Sequence, residues 1–340
     1  MKKALILLGP TGVGKTAASL LLAQHLGTEI ISSDSMQIYR HMDIGTAKPT
    51  REEISLIRHH MIDIVDPWEH FSTGSFIGEA GPIMERLQNE NRLPLIVGGT
   101  GLYLKAMTRG IFKGPSQDSA LRAQLQSDEQ NEPGTLHRRL QALDPVSAAR
   151  IMPNDQRRII RAIEVCLSGT VSMSALQEQH TEKLPYDFIK VGLTRNRDEL
   201  YSMIDRRVGI MVEQGLVGEV RNVLEMIGTE AQKRERESRQ GDTRSSLLSG
   251  LSAVHASALP ALQAIGYKEL LDYFEGACSL DRAEALIKQR SRNYAKRQFT
   301  WFRQESDIRW IDISGMQNPE DIFRKMLLSL QDKHGYESNA

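Results

Sequence analysis

From Gly9 to Thr16 the chain reads Gly-Pro-Thr-Gly-Val-Gly-Lys-Thr, directly after the apolar run Ala4–Leu8. Glycines at this spacing let successive backbone N–H groups face one concavity, and a helix opening near Lys15 adds its positive end. The Lys15 ammonium would neutralise an outer phosphate, and the Thr16 hydroxyl would ligate Mg²⁺. Gly9, Pro10, Thr11, Gly12, Val13, Gly14, Lys15 and Thr16 are therefore the expected cradle of a di- or triphosphate, ATP being one possible occupant.

Hydrolysis of a nucleoside triphosphate in such a site calls for a second acid after an apolar strand, to complete the Mg²⁺ shell. The run Leu95-Ile96-Val97 ends in Gly98-Gly99 instead, and Asp63 or Asp66 in Ile62–Asp66 is a poor substitute. The well-placed acid is Asp34, which follows the short run Glu29–Ser32 and has Ser33, Ser35, Gln37 and Tyr39 around it. A turn-forming or helix-capping role is the alternative for an aspartate there.

Two further segments are basic. In Asn154–Val165, Ile159, Ile160, Ile163 and Leu167 fall on one helical face, with Arg157, Arg158 and Arg161 on the other. That second face is either solvated charge or an anion-binding surface. In Lys288–Arg303, Arg290, Tyr294, Arg297 and Trp301 share one helical stripe, and Arg292, Lys296 and Arg303 form a neighbouring one. Aromatics at helical spacing are usually core, but six cations interleaved with them and no acid in the segment point to nucleic-acid phosphate.

The elements that must position these residues alternate. Strands are expected at Ala4–Leu8, Glu29–Ser32, Ile62–Val65, Leu95–Val97 and Phe188–Leu193, with helices at Lys15–Leu26 and Phe76–Asn91 between them. This is the pattern of an α/β fold with a parallel sheet, whose ligands sit at the carboxyl ends of the strands. Residues 1–112 form the first part of that core. Residues 113–185, polar and broken by several prolines, read as an inserted helical domain. Residues 186–330 complete the core with helical patterns at Arg197–Gln214, Val217–Met226 and Leu280–Phe302. Within them Thr229–Ser257, poor in large apolar residues, is expected to be a mobile insertion. Residues 331–340 read as a frayed tail.

Bulk composition narrows the class. The 340 residues, 40% hydrophobic and 25% charged, describe a globular chain able to bury a large core. Lys plus Arg and Asp plus Glu balance at 43 each, so any nucleic-acid surface must come from local segregation. Cys166 and Cys278 lack metal-ligand spacing and read as unpaired thiols of a reducing compartment. The first apolar run is too short for a signal peptide, and no stretch approaches the roughly 20 apolar residues of a membrane span. The expectation is a cytoplasmic monomer without a membrane partner.

Taken in order, several motifs are similar to those of the tRNA dimethylallyltransferases (tRNA isopentenylpyrophosphate transferases). They are the P-loop, Asp34–Tyr39, Asp43–Lys48, Gly98–Tyr103, Arg161–Val165, Gln263–Leu270 and Tyr294–Gln298. The resemblance implies a P-loop NTPase-like core with an inserted helical domain. The implied reaction moves a dimethylallyl group from dimethylallyl diphosphate to N6 of the adenosine 3′ of a tRNA anticodon, in tRNAs reading codons that begin with U. By the same resemblance Asp34 is the general base and Thr100 helps to hold the adenine. The P-loop, with Mg²⁺ on Thr16, would take the diphosphate, which accounts for the missing second acid. The implied contacts to the tRNA anticodon arm are Asp34, Ser35, Met36, Gln37, Thr100, Arg122, Gln156, Arg157, Arg158, Ile159, Ile160, Arg161, Arg290 and Arg297. One motif departs from the family: Met203-Ile204-Asp205-Arg206-Arg207 stands where Arg-Ile-x-x-Arg is usual, so a diphosphate clamp from this helix rests on Arg207, with Arg206 beside it. A small-molecule kinase or NTPase, and an RNA-binding protein with a vestigial P-loop, are the competing classes.

Overall fold

The computed structural model describes residues 2–112, 114–169, 171–179, 183–238, 259–305 and 307–334. Contacts divide the chain into two compact units, Met1–Leu104 together with Pro185–Ala340, and Lys105–Leu184.

The first unit is built on six parallel strands in the order β3-β2-β4-β1-β5-β6. They are β1 (Lys2–Leu8), β2 (Ile30–Ser32), β3 (His59–His60), β4 (Leu95–Gly98), β5 (Tyr186–Thr194) and β6 (Ile308–Asp312). Ala4 to Leu8 is buried throughout, as a central strand covered on both faces requires. The helices of this unit begin with α1 (Lys15–His25), α2 (Arg51–Leu56), α3 (Thr73–Asn89) and α4 (Gly101–Arg109), the last of which carries the chain into the second unit. After that unit come α10 (Arg197–Glu213), α11 (Leu216–Ser238), α12 (Tyr267–Phe274), α13 (Leu280–Phe302) and α14 (Pro319–His334). The connection from β1 runs towards β2, whereas that from β4 runs towards β5 on the opposite side. Adjacent strands that send their chains in opposite directions open a crevice at their carboxyl ends.

One core packs α1, α10 and α14 against the sheet through Leu22, Leu200, Ile204 and Met326. Another gathers α10 to α13 around Tyr39, Met42 and Tyr267. The second unit contains α5 (Ser119–Asn131), α6 (Thr135–Leu143), α7 (Pro145–Arg150), α8 (Gln156–Ser168) and α9 (Met173–Gln179). Its core includes Leu125, Leu140, Ile159, Ile160 and Ile163. Asp144 links three of its helices: it caps α7 through Ser147 and accepts the backbone N–H and hydroxyl of Ser174.

The structure corrects several expectations. The third strand is His59–His60, not Ile62–Val65, because Met61 (φ 64°) and Asp63 (φ 55°) take left-handed conformations that interrupt an extended run. Only a single bridge, Tyr39 to Val65, remains there. Thr229 to Ser238 continues α11, since Glu, Ala, Gln, Lys and Arg favour helix and no Gly or Pro interrupts them. The rest of the expected insertion, residues 239–257, lies outside the described residues. Gln331 to His334 belongs to α14, and residues 335–340 of the expected tail are likewise outside. The helical unit begins at Lys105, within α4, and not at 113. Among the described residues no helix is long and apolar enough to cross a membrane.

Candidate active site

The loops after β1, β2 and β4 meet at the carboxyl rim of the sheet. In the first, Gly12 (φ 80°) and Gly14 (φ 105°) adopt left-handed conformations, and a Cβ at Gly12 would lie 2.7 Å from Ile204. No side chain caps α1, whose cap residue is Gly14. Lys15 Nζ curls back to donate to the Gly9 and Pro10 carbonyls, both at 2.9 Å. Arg195, almost fully buried, ties the loop to the core by donating to the Val13 and Ile313 carbonyls.

After β2, Asp34 forms the turn that its residue type allows: Oδ1 accepts the Met36 N–H at 2.8 Å. The Thr100 hydroxyl, from the loop after β4, accepts the Ser35 N–H at 3.1 Å. Gln37 is engaged with Ser32 Oγ and with the Thr46 and Ala47 carbonyls.

These loops line a cavity of about 430 Å³ that runs past Thr11, Gly14, Lys15, Thr16, Asp34, Gly98, Arg207 and Tyr294. A neighbouring lobe of about 230 Å³ shares Thr11, Asp34, Thr46, Arg207 and Tyr294. Its other walls include Met36, Val208, Met211, Leu216, Ile287 and Arg297. Asp34 therefore stands where a cationic lobe meets a more apolar one.

The electrostatics are those of an anion site. Burial lowers the Lys15 pKa to about 8, with Asp34 opposing and Arg207 adding to the fall. Burial also lowers the pKa of Arg207, against the attraction of Asp34. Arg207 Nη2 donates to Thr11 Oγ1 at 2.6 Å, but its buried Nε has no hydrogen-bond partner. A buried guanidinium with an unsatisfied donor beside a glycine-rich loop has the makings of a clamp for phosphate oxygens. Arg206, beside it, is exposed.

Helix α13 supplies two further groups to the rim, the first and last residues of the motif Tyr294–Gln298. The Tyr294 hydroxyl lies beside the Thr100 and Gln298 side chains, and burial raises its pKa, so it stays protonated. Gln298 accepts the Thr11 N–H at 2.8 Å and donates to the Gly99 carbonyl at 2.9 Å. The available signal was the glycine run: a Cβ at Gly99 would collide with Gln298 Nε2, and one at Gly101 with the Trp301 indole.

Several residues expected at an RNA surface are elsewhere. Ile159 and Ile160 lie in the core of the helical unit, as their apolar face requires. Arg122 grips the fully buried Glu164 through two hydrogen bonds of 2.9 and 2.8 Å, and Arg161 pairs with the same carboxylate. Burial alone would raise the Glu164 pKa, but Arg122, the Asp118 N–H and Arg161 hold it at about 2. Gln156, Arg157 and Arg158 are exposed, with Arg158 near Asp155 at 3.4 Å. Arg290 is paired with the buried Glu269 at 3.0 Å, and Arg292 with Asp205. Arg297 lines the apolar lobe beside Asp34, so it belongs to the pocket as well as to the basic helix. The acids once considered as a second metal ligand are also engaged: Asp63 with Lys48, and Asp66 with Arg40.

A parallel α/β sheet with a P-loop after its central strand and a two-lobed pocket at its carboxyl rim defines a phosphate-binding enzyme fold of the P-loop class. The comparisons narrow that class. The IPP transferase family model matches residues 37–305, and the isopentenyl transferase model matches residues 2–66. The chain belongs to the IPP transferase family. It is 50% identical over 331 residues to a tRNA dimethylallyltransferase of Thermodesulfovibrio yellowstonii, covering 97% of this chain and 98% of the relative. A tRNA dimethylallyltransferase of Syntrophobacter fumaroxidans is 44% identical, covering 89% and 82%. Among solved structures, the tRNA isopentenylpyrophosphate transferase of Bacillus halodurans superposes with a TM-score of 0.63 at 37% identity, covering 97% of both chains. A eukaryotic dimethylallyltransferase described as acting on tRNA gives 0.72 at 27% identity, covering 93% of this chain and 75% of that one.

Proposed function

We propose that this chain transfers a dimethylallyl group from dimethylallyl diphosphate to N6 of the adenosine 3′ of the anticodon in tRNA, in the tRNAs that read codons beginning with U. The observation that carries this reading is the position of Asp34, where the lobe bearing Lys15 meets one walled by Met36, Val208, Met211, Leu216 and Ile287, with Arg207 lining both. The adenine amine is a weak nucleophile because its lone pair is delocalised into the ring. As N6 forms its bond to the allylic carbon, the carbon–oxygen bond to diphosphate breaks and the N6 proton passes to the Asp34 carboxylate. Lys15, Arg207 and the P-loop amides stabilise the charge that develops on the departing diphosphate. Thr100, bonded to the Ser35 N–H beside Asp34, and Tyr294 in the pocket wall would hold the adenine edge.

Among the described residues no cluster of three or more His, Cys, Asp or Glu could hold a metal ion. That suits Mg²⁺, which keeps several waters and takes phosphate oxygens with only one or two protein ligands. Thr16, on the wall of the phosphate lobe, would hold it, and the ion would add charge neutralisation at the diphosphate. The target base must leave its stack to reach so recessed a carboxylate. The exposed Gln156, Arg157 and Arg158 of the helical unit, with Arg297 on α13, supply contacts for the anticodon arm.

Incubation with labelled dimethylallyl diphosphate and unmodified tRNA tests the reading. Label in the RNA, mapped to the purine 3′ of the anticodon, supports it. ATP turnover without transfer, or RNA binding without chemistry, would overturn it in favour of a kinase-like enzyme or a binding protein.

A further inference from the structure

We infer that Gln298 is a positioning residue that sets the spacing between the departing diphosphate and the attacking amine. The inference rests on the transferase reading above. Gln298 is 6% exposed, and its carboxamide joins two loops that belong to different strands. Its oxygen takes the Thr11 N–H of the P-loop, and its nitrogen holds the Gly99 carbonyl next to Thr100. Each bond reaches a reacting group through one more contact. Thr11 Oγ1 accepts from Arg207, which ties the amide to the phosphate clamp. On the other side the bonded Gly99 carbonyl precedes Thr100, whose hydroxyl takes the Ser35 N–H of the loop that carries Asp34, and the Tyr294 hydroxyl, one turn earlier on α13, lies beside both Gln298 and Thr100. One side chain thus connects the groups that hold the leaving group to those that hold the nucleophile.

The chemistry of the loop makes this connection a commitment. Elsewhere in a P-loop a backbone N–H is offered to phosphate, but the Thr11 N–H is spent on Gln298. The close approach is built into the sequence on both sides, since only glycine at position 99 leaves room for the carboxamide. Gln298 itself lines the phosphate lobe but need not touch a reacting atom. Its effect falls on geometry, and in-line displacement is sensitive to displacements of about an ångström.

The test uses the full chain with Gln298→Met, which keeps length and volume but loses both bonds, and with Tyr294→Phe, which removes only the hydroxyl. Thermal unfolding shows whether each variant is folded. Single-turnover transfer is then measured with donor and tRNA saturating, beside the separate affinities for each. A transfer rate lowered by at least about tenfold in either folded variant, with both affinities within about threefold of wild type, is expected. The double variant should be little slower than the slower single, because both substitutions break one bridge. A folded Gln298→Met variant whose rate stays within about twofold of wild type, a loss confined to affinity, or multiplicative effects in the double variant would overturn the inference. If Gln298→Met does not fold, Gln298→Glu, which keeps an acceptor for the Thr11 N–H and loses the donor to the Gly99 carbonyl, decides by the same criteria. Wild type that transfers no prenyl group would instead overturn the transferase reading.

Discussion

At the level of single residues, Asp34 has two duties that can be separated. Its Oδ1 shapes the turn at Met36, and in the proposed transfer the carboxylate charge would serve as base. Asp34→Asn keeps the turn acceptor and removes the base, so transfer should fall by roughly 10²–10⁴-fold while tRNA affinity stays near wild type. A quench-flow assay with a tRNA filter-binding control reads both. Lys15 adds a pH dependence. Its pKa of about 8 in the free site must rise when an anionic diphosphate binds, because opposite charge favours the ammonium. Donor affinity should therefore be full below about pH 8 and decline above it, towards tenfold per pH unit. Calorimetric titration across that range checks this, and Lys15→Met should bind weakly with a flat profile. That Asp34 and Lys15 share one pocket was legible because each lies within a few residues of a strand end, where a parallel sheet puts its ligands. The motif Tyr294–Gln298 was legible but its partners were not, because the Gln298 bonds span 287 and 199 residues and helical spacing cannot say which neighbour a face will meet. Shorter separations, still beyond one helical turn, hid the partners of Arg122, Arg290 and Arg292, so charges that look free in sequence are paired in space.

Among elements, the loop Asp43–Lys48 shows how α11 prepares the pocket wall. The N–H groups of Asp43, Ile44 and Gly45 all donate to the Glu219 carboxylate, which also accepts the Tyr267 hydroxyl. Gly45 is required there because a Cβ would lie 2.6 Å from the Tyr267 ring. Three successive N–H groups of the loop converge on one side chain, so Glu219→Ala should loosen the wall that carries Thr46, leaving it to Gln37 and Lys48. An increase in backbone hydrogen exchange over residues 42–48, with a loss of stability of about 2 kcal/mol, is the expected outcome. In the helical unit, α8 depends on Glu164 in the same way. Glu164→Ala leaves Arg122 and Arg161 without their common partner and should cost about 3 kcal/mol, read from chemical denaturation. The strands and long helices could be read from burial runs and periodicity. The two-residue β3 could not, because left-handed residues beside it disguise where the extended segment lies.

For the whole molecule, acid should loosen both compact units. Glu29 is buried, which alone would raise its pKa, yet His60, Arg86 and Arg92 hold it at about 2, from an ordinary 4.5. A carboxylate depressed in the folded state stabilises fully above the ordinary value, and that contribution drains away as pH falls towards 2. Glu164 does the same in the other unit. Unfolding temperature should therefore decline steadily below about pH 4.5, and Glu29→Gln should make the decline shallower. Binding of tRNA should respond to salt through few contacts, since many arginines are committed to internal pairs. Arg157→Ala should lower the slope of log K against log salt by about 0.7–0.9 without altering donor affinity. Arg297→Ala should change transfer as well, because that residue lines the pocket. The glycines after β4 have a consequence for substitution. A Cβ at Gly98 would strike Ser33 Oγ and lie 2.8 Å from the Ser33 carbonyl, while Gly99 is shut in by Gln298. An acid able to complete a nucleotide-hydrolysing centre at this rim cannot arrive by one substitution without displacing the loop that holds Asp34. At these two positions the rim has no vacancy for a second carboxylate, and the empty space of a glycine is already filled from the neighbouring element.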